Sequence, residues 1–153
     1  MQLSEHFTLE EFIRSDTAKQ LGNDNKPTAA HLENLKVTAA GFEKVRAVLG
    51  GKAIKITSGY RNPAVNNAVG GTATSAHPMG FAGDFRHGNL TPLECAKRIR
   101  DSDLTFDQCI LETSRNVVHL SFDPRTGKGG PRRQVGEQKK GPGTPIVWKL
   151  PGG

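Results

Sequence analysis

The sequence predicts an α+β fold in which a small antiparallel sheet carries helices packed on one side. Apolar residues recur every three or four positions over 32–49, and this period predicts one long amphipathic helix. Residues 53–57 alternate between apolar and polar side chains, which predicts a half-buried strand. Residues 107–112 and 117–122 predict two more strands, joined closely enough to form an antiparallel hairpin.

The remaining elements are predicted from their end signals. Thr8 with Glu11, and Thr91 with Glu94, have the spacing of a capping box, so each pair predicts the start of a helix. The elements predicted in this way are helices over 9–14, 28–49, 64–69 and 92–100, a helical turn over 16–22, and strands over 80–86 and 132–135. Residues 145–150 are expected to dock against the domain, because two large apolar side chains would otherwise be exposed.

The predicted hairpin has an informative register. If Glu112 pairs with Val117, Ile110 lies opposite His119. One face of the hairpin is then entirely apolar and faces the core; it carries Cys109, Leu111, Val118, Leu120 and Phe122. The opposite face carries Glu112 and His119, and diagonal neighbours across an antiparallel pair lie about 7–8 Å apart. The register therefore predicts Glu112 beside any group that His119 binds.

The length of 153 residues predicts one domain, 1–153, with its core over roughly 4–135 and a basic segment rich in Gly and Pro over 136–153. No apolar run approaches the ~20 residues of a membrane span, so no membrane insertion is expected. The N-terminus lacks the basic-then-apolar pattern of a secretion signal, so we expect synthesis in the cytoplasm without a signal peptide. Cys95 and Cys109 lie in apolar patterns and are expected to be reduced core residues.

The net charge of +6 favours a polyanionic partner, either nucleic acid or an anionic bacterial cell wall. Much of the excess positive charge lies between Arg125 and Lys140. Aromatic side chains interleaved with the basic ones would favour nucleic acid, and this segment has none before Trp148. We therefore expect a solubilising basic segment, no nucleic-acid partner and a monomer.

The stretch 75–84 carries the main candidate site. It follows a flexible polar stretch, 72–74, and holds His77 and Asp84 with glycine and alanine residues between them. Imidazole and carboxylate suit a borderline divalent cation such as Zn²⁺, and a mononuclear catalytic site needs three protein ligands and an open position. His119 is the best third ligand, which places a zinc site on the open face of the predicted sheet.

The same stretch resembles a family signature. Its pattern, Ser-x-His-x-x-Gly-x-Ala-x-Asp over 75–84, resembles that of the zinc D-Ala-D-Ala carboxypeptidases and related peptidoglycan peptidases, the M15 family. The resemblance extends through 58–63 and 118–122 and covers roughly 4–135, and residues 7–12 are similar to the start of phage and prophage members. It implies zinc-dependent hydrolysis of peptidoglycan stem peptides, at either D-Ala-D-Ala or L-Ala-D-Glu, in the manner of a cell-wall-lysing endolysin.

The resemblance also implies roles for individual residues. In phage-type members a glutamate on the strand before the Val-His motif is the general base, and Glu112 corresponds to it. Arg61 is implied to grip a substrate carboxylate or to stabilise the transition state, so it is both a catalytic and a substrate-binding candidate. Ser75 is a candidate hydrogen-bonding neighbour of the substrate, with a loop cap as its alternative role.

Asn116 departs from several branches of the family, which place an acidic residue three positions before the last histidine. An asparagine cannot act as a base, so the departure leaves an alternative open: a non-catalytic, zinc-stabilised module that binds the cell wall or builds a virion. The position of Glu112 on the hairpin favours its replacing the missing acid. A third alternative, a nucleic-acid binder, rests only on the basic segment.

Overall fold

A computed structural model describes residues 1–72 and 75–153, so Ala73 and Thr74 of the predicted polar stretch 72–74 lie outside the described residues. The described chain is α+β, as predicted, and is built around one sheet. Its strands are β1 (Ile54–Ser58), β2 (Ala82–His87), β3 (Gln108–Glu112), β4 (Val117–Ser121) and β5 (Gln134–Gln138). Their order across the sheet is β1-β2-β4-β3-β5.

The sheet is antiparallel at its centre and mixed at one edge. β1 with β2, β2 with β4, and β3 with β4 are antiparallel pairs, whereas β5 lies parallel to β3. The strand predicted over 132–135 is two residues too early. Arg133 has φ 52°, a left-handed conformation that no strand residue adopts, so the chain is still turning there and pairing begins at Gln134.

Five α-helices accompany the sheet within the described ranges. They are α1 (Leu9–Ile13), α2 (Asp16–Gln20), α3 (Ala29–Val48), α4 (Pro63–Ala68) and α5 (Pro92–Arg100). The hydroxyls of Thr8 and Thr91 accept hydrogen bonds from the backbone N–H groups of Glu11 and Glu94, which confirms both predicted N-caps. None of these helices has the length and apolar character needed to cross a membrane.

The core is centred on Phe42 of α3. Its ring packs against four other phenylalanine rings at centroid distances of 5.4–6.1 Å: Phe7, Phe12, Phe85 and Phe122. The close approach needs glycine in β2, since a Cβ atom on Gly83 would lie 2.8 Å from the Phe42 ring. A small residue at this point of the strand therefore lets α3 pack directly on the sheet.

The β3–β4 hairpin has the predicted register. Glu112 pairs with Val117 and Ile110 with His119, which confirms the assignment of its two faces. The core-facing side chains of these strands are fully or almost fully buried: Cys109, Leu111, Val118 and Leu120. The opposite face, called the open face below, carries Ile110, Glu112 and His119.

The C-terminal residues lie against the edge strand β5. Val147 forms an isolated antiparallel bridge with Glu137, and Leu150 is buried in the core. Trp148 remains 47% exposed. The expected docking of 145–150 therefore occurs through Leu150, the backbone of Val147 and the side chains that rest on Gly136, although much of the indole stays exposed.

Two arginines in the basic stretch between Arg125 and Lys140 hold the chain in place. Arg132 donates from Nε and Nη2 to the two carboxylate oxygens of Asp107, at 3.0 and 2.8 Å. Arg133 lies 4.8 Å above the centroid of the Phe106 ring and donates to the backbone carbonyl of Leu104. These guanidinium groups therefore have structural partners, beyond the solubilising role expected for the segment.

Candidate metal centre and cleft

Three neighbouring elements bring His77, Asp84 and His119 together on the open face. His77 begins a single 3₁₀ turn, His77–Met79, which ends at Gly80 with φ 85°, a conformation that glycine adopts without strain. Asp84 of β2 lies directly opposite His119 of β4. Because the turn leads straight into β2, its first residue faces this cross-strand pair.

The three side chains meet at one point. His77 Nε2 and His119 Nδ1 each lie 3.1 Å from Asp84 Oδ1 and 3.2 Å from each other. One ligand atom from each residue lies within 4.8 Å of the other two. Two imidazole nitrogens and a carboxylate oxygen this close can share one divalent cation, and they form a donor set that zinc accepts. The predicted ligands thus form a possible metal site, and zinc binding there stays a prediction.

His77 has a defined tautomer. Its Nδ1 lies 2.6 Å from the carbonyl oxygen of Gly59, and because a carbonyl can only accept, Nδ1 carries the proton. The lone pair on Nε2 therefore points towards Asp84 and His119. Burial lowers the pKa of His77 to about 4, although the Asp84 carboxylate opposes this effect. The imidazole is neutral at neutral pH, which is the form that binds a metal.

Asp84 is buried and keeps one oxygen unused. Within residues 1–72 and 75–153, its Oδ2 has no hydrogen-bond partner, and Arg115 Nη2 approaches it at 3.8 Å. Burial raises the pKa of this carboxyl, but the charge that His77 carries when it is protonated and the hydrogen bond from His119 outweigh burial and hold the pKa well below its ordinary value. A buried, ionised carboxylate beside two imidazoles fits the role of a cation ligand.

Glu112 lies at the end of β3 on the same face and is 5% exposed. Its Oε1 accepts a hydrogen bond from Arg115 Nη2, whereas its buried Oε2 has no partner among the described residues. Burial raises the pKa of Glu112 above its ordinary value, the Asp84 carboxylate adds to this, and His119 and Arg115 oppose it. A carboxyl with a raised pKa and one unbonded oxygen is suited to proton transfer.

Arg115 is the site residue that sequence reasoning missed. It lies in the β3–β4 turn, contacts Glu112 and lines the same cleft as His119. Arg86 fixes its backbone by donating from Nη2 to the Arg115 carbonyl, at 2.9 Å, and from Nε to the Asn116 carbonyl, at 3.0 Å. The signal was present in the sequence, since an acid and an arginine three residues apart around a tight turn can form an ion pair.

Asn116 has a conformational role in that turn. Its φ is 54°, in the left-handed region, where asparagine is favoured among residues that have a side chain. The open-face carboxylate of the hairpin comes from Glu112, which is paired with Val117.

Arg61 and Ser75 flank the metal group. The Arg61 backbone N–H donates to the His77 carbonyl at 3.3 Å, and its side chain is almost fully buried and lines the cleft. No hydrogen-bond partner for Arg61 Nε is found in the described part of the chain. Burial lowers the pKa of this guanidinium, which nearby Asp84 opposes. Ser75 Oγ accepts from the His77 backbone N–H at 3.2 Å, the geometry of the loop cap, and it also borders the cleft.

An open cleft of about 330 Å³ is lined by both histidines of the metal group and by four of the residues beside them: Arg61, Ser75, Glu112 and Arg115. It runs over the open face from the hairpin turn, with Glu112 and Arg115, past His119 to Asp107 and Arg125 at the other strand ends. Its volume is at the lower end of the range for ligand pockets. The cleft can therefore hold a short, extended substrate above the metal group.

A His–Asp–His group beside a buried glutamate in an open cleft is the arrangement of a mononuclear metal-dependent hydrolase. Residues 5–121 match the Peptidase M15 family, and the chain belongs to this family, as the motif over 75–84 predicted. A search of curated proteins finds no match. The family consists of peptidases that are typically zinc-dependent and act on peptidoglycan-derived peptides, which supports a metallopeptidase.

Proposed function

We propose that this protein is a zinc-dependent peptidase that hydrolyses peptidoglycan stem peptides during phage or prophage lysis of the cell wall. The observation that carries the proposal is the group formed by His77, Asp84 and His119, together with Glu112 in the same cleft, in a chain of the M15 family. We further propose that the chain is made in the cytoplasm, acts on the wall after release and works as a monomer.

The proposed zinc ligands are His77, Asp84 and His119. Zinc held there would supply a bound water of lowered pKa and polarise the scissile carbonyl. Glu112 is the proposed general base: its Oε2, which has no partner among the described residues, accepts a proton from the attacking water. The same oxygen then returns that proton to the leaving amine as the carbon–nitrogen bond breaks.

Arg115 keeps Glu112 in place for this transfer. Because its guanidinium contacts Oε1, the other oxygen, Oε2, is left without a hydrogen-bond partner among the described residues. The pKa of Glu112 is raised towards neutral pH. A group that accepts and then donates a proton in one cycle is most effective when its pKa lies near the working pH. Arg115 is thus a positioning residue in this scheme.

Arg61 is proposed to bind a carboxylate of the substrate and to stabilise charge that develops during the reaction. Its buried guanidinium lines the cleft beside His77, and no described residue accepts a hydrogen bond from its Nε. Ser75 is proposed to contribute a hydroxyl donor, since its oxygen accepts from His77 while its own hydrogen is free to turn. Both proposed cleavage sites, D-Ala-D-Ala and L-Ala-D-Glu, place carboxylates near the scissile bond.

The alternative, a non-catalytic module that binds the wall or builds a virion, was motivated by Asn116. The left-handed turn conformation explains why asparagine occupies position 116, and Glu112 supplies a carboxylate on the open face. These two observations favour the peptidase.

Mass spectrometry of muropeptides tests the proposal. Purified peptidoglycan is incubated with the protein, with the protein plus a chelator, and with the chelated protein after zinc is restored. We expect new peptide termini in the first and third samples only, and their masses identify the bond. Cleavage that the chelator does not reduce contradicts the zinc mechanism, and wall binding without any cleavage favours the non-catalytic module.

A further inference from the structure

One row of residues crosses the open face at the level of the metal group. Asp84 pairs with His119, His119 with Ile110, and Ile110 with Gly136 on β5. Paired positions in adjacent strands place their side chains on the same face, and strands lie about 5 Å apart. Ile110 is therefore one strand away from the metal group, and Gly136 is two strands away.

Gly136 allows the C-terminal segment 145–150 to pack against the end of this row. A Cβ atom at Gly136 would lie 2.9 Å from Ile146 Cγ2 and 2.8 Å from the Trp148 ring. Both contacts are closer than real Cβ atoms tolerate, so only glycine allows these side chains to rest on the sheet here. Ile110 and Ile146 both line the cleft, and they are called the apolar shelf below.

The segment that supplies Ile146 is well anchored. Glu137 and Val147 exchange two backbone hydrogen bonds, of 2.8 and 2.9 Å, and Gln138 Nε2 donates to the Thr144 carbonyl at 2.9 Å. Ile146 and Trp148 flank Val147, so both point to the same side of the bridge. The whole segment lies beyond residues 5–121, which match the family.

We propose that the apolar shelf selects a small, methyl-sized side chain on the substrate residue beside the scissile bond. The inference rests on the proposed function, because the metal group defines where that bond lies. Ile110 lies one strand spacing, about 5 Å, from the metal group, which is between one and two residues of extended chain and places the shelf near the residue beside the scissile bond. The side chains that neighbour the shelf along its strands are polar or charged, such as Gln108, Glu112 and Gln138, and the cleft volume of about 330 Å³ lies at the lower end of the range for ligand pockets, which favours small side chains.

Steady-state kinetics on synthetic stem peptides test the shelf. Peptides carry either alanine or leucine beside the scissile bond, and the variants are Ile146→Ala, the milder Ile146→Val and the control Val147→Ala. Val147 is 54% exposed on the other side of the same segment. We expect Ile146→Ala to raise KM for the alanine peptide about tenfold, with kcat little changed, and to reduce discrimination against leucine. Ile146→Val should have a smaller effect in the same direction.

A binding measurement separates failure of the shelf from failure of the proposed function. In the zinc-loaded Glu112→Gln variant, we expect added alanine peptide to shift the methyl resonances of Ile110 and Ile146 in NMR spectra. If wild-type protein cleaves peptides while Ile146→Ala behaves like Val147→Ala and the methyl resonances do not move, the shelf is wrong and the peptidase stands. If the methyl resonances of the Glu112→Gln variant move but the wild-type protein cleaves no peptide, the shelf stands and the proposed peptidase function is wrong.

Discussion

The two faces of the central sheet differ in how their buried groups are satisfied. On the helix-packed face, apolar side chains such as Phe85 and Leu120 fill the space beneath α3 and α5 and need no polar partner. Most of the buried polar atoms without a hydrogen-bond partner, counted over the described residues, belong to the metal group or to the residues beside it: Arg61 Nε, Asp84 Oδ2, Glu112 Oε2 and Arg115 Nε. One face is thus organised for packing. The other keeps unsatisfied polar groups, which are costly unless a ligand or substrate meets them.

The largest expected effect concerns the open face. Glu112→Gln keeps the size of the side chain but removes its ability to accept a proton. We expect kcat to fall by about 10²–10⁴-fold while zinc content is retained. The matched control is Glu33→Gln on the exposed side of α3, which should keep wild-type activity. Turnover retained in Glu112→Gln would remove this residue from the mechanism.

On the packed face, a large effect should appear in stability. Phe42→Ala removes the ring that contacts four other phenylalanines, and we expect the free energy of unfolding to fall by about 3–5 kcal/mol. Denaturant unfolding followed by circular dichroism measures it, with the exposed Val37→Ala in the same helix as the control. A loss no larger than that of the control would show that the two faces are less different than proposed.

Arg115→Ala tests the link between the hairpin turn and the base. Activity requires ionised Glu112, so it is lost as pH falls through the pKa of this carboxyl, which burial has already raised. Loss of the neighbouring cation raises that pKa further, so the acidic limb of the kcat/KM profile should move to higher pH. Because Arg115 is partly exposed, we expect only about a tenfold fall in kcat at neutral pH. Arg115→Lys should restore part of the profile, and an unmoved acidic limb would contradict the positioning role.

The smallest effect is expected at Asn116. Replacement by alanine puts a side chain that disfavours φ 54° into the turn, so we expect a loss of about 1 kcal/mol in unfolding free energy. Asn116→Gly should cost less, because glycine adopts this conformation freely. If Asn116→Asp instead raises turnover sharply, the family's usual acid position is functional here and the conformational explanation is wrong.

The difference between the faces also explains how much the sequence could predict. Alternation and capping boxes were sufficient for the helices, for four strands and for the β3–β4 register, because each signal is local. The parallel pairing of β5 was not predictable in this way, since it depends on residues 122–133 carrying the chain back along the sheet. The predicted early start at Arg132 failed because Arg133 is held in a left-handed turn.

The residues of the candidate site also differ in whether a sequence signal could identify them. His77, Asp84 and His119 could be proposed together because a sequence motif and a strand register placed them on one face. Arg115 and Ile146 were missed, as their importance comes from contacts across a turn and across the edge strand. A positively charged turn residue and an apolar residue near a C-terminus are common, and only the folded arrangement distinguishes them.

The central claim is that the open face holds one zinc ion through His77, Asp84 and His119. Elemental analysis of the purified, dialysed protein tests it most directly, with Asp84→Ala and His119→Ala as folded variants checked by circular dichroism. We expect about one zinc ion per wild-type chain and almost none in either variant. A wild-type chain that binds no zinc, or variants that retain it fully, would contradict the account.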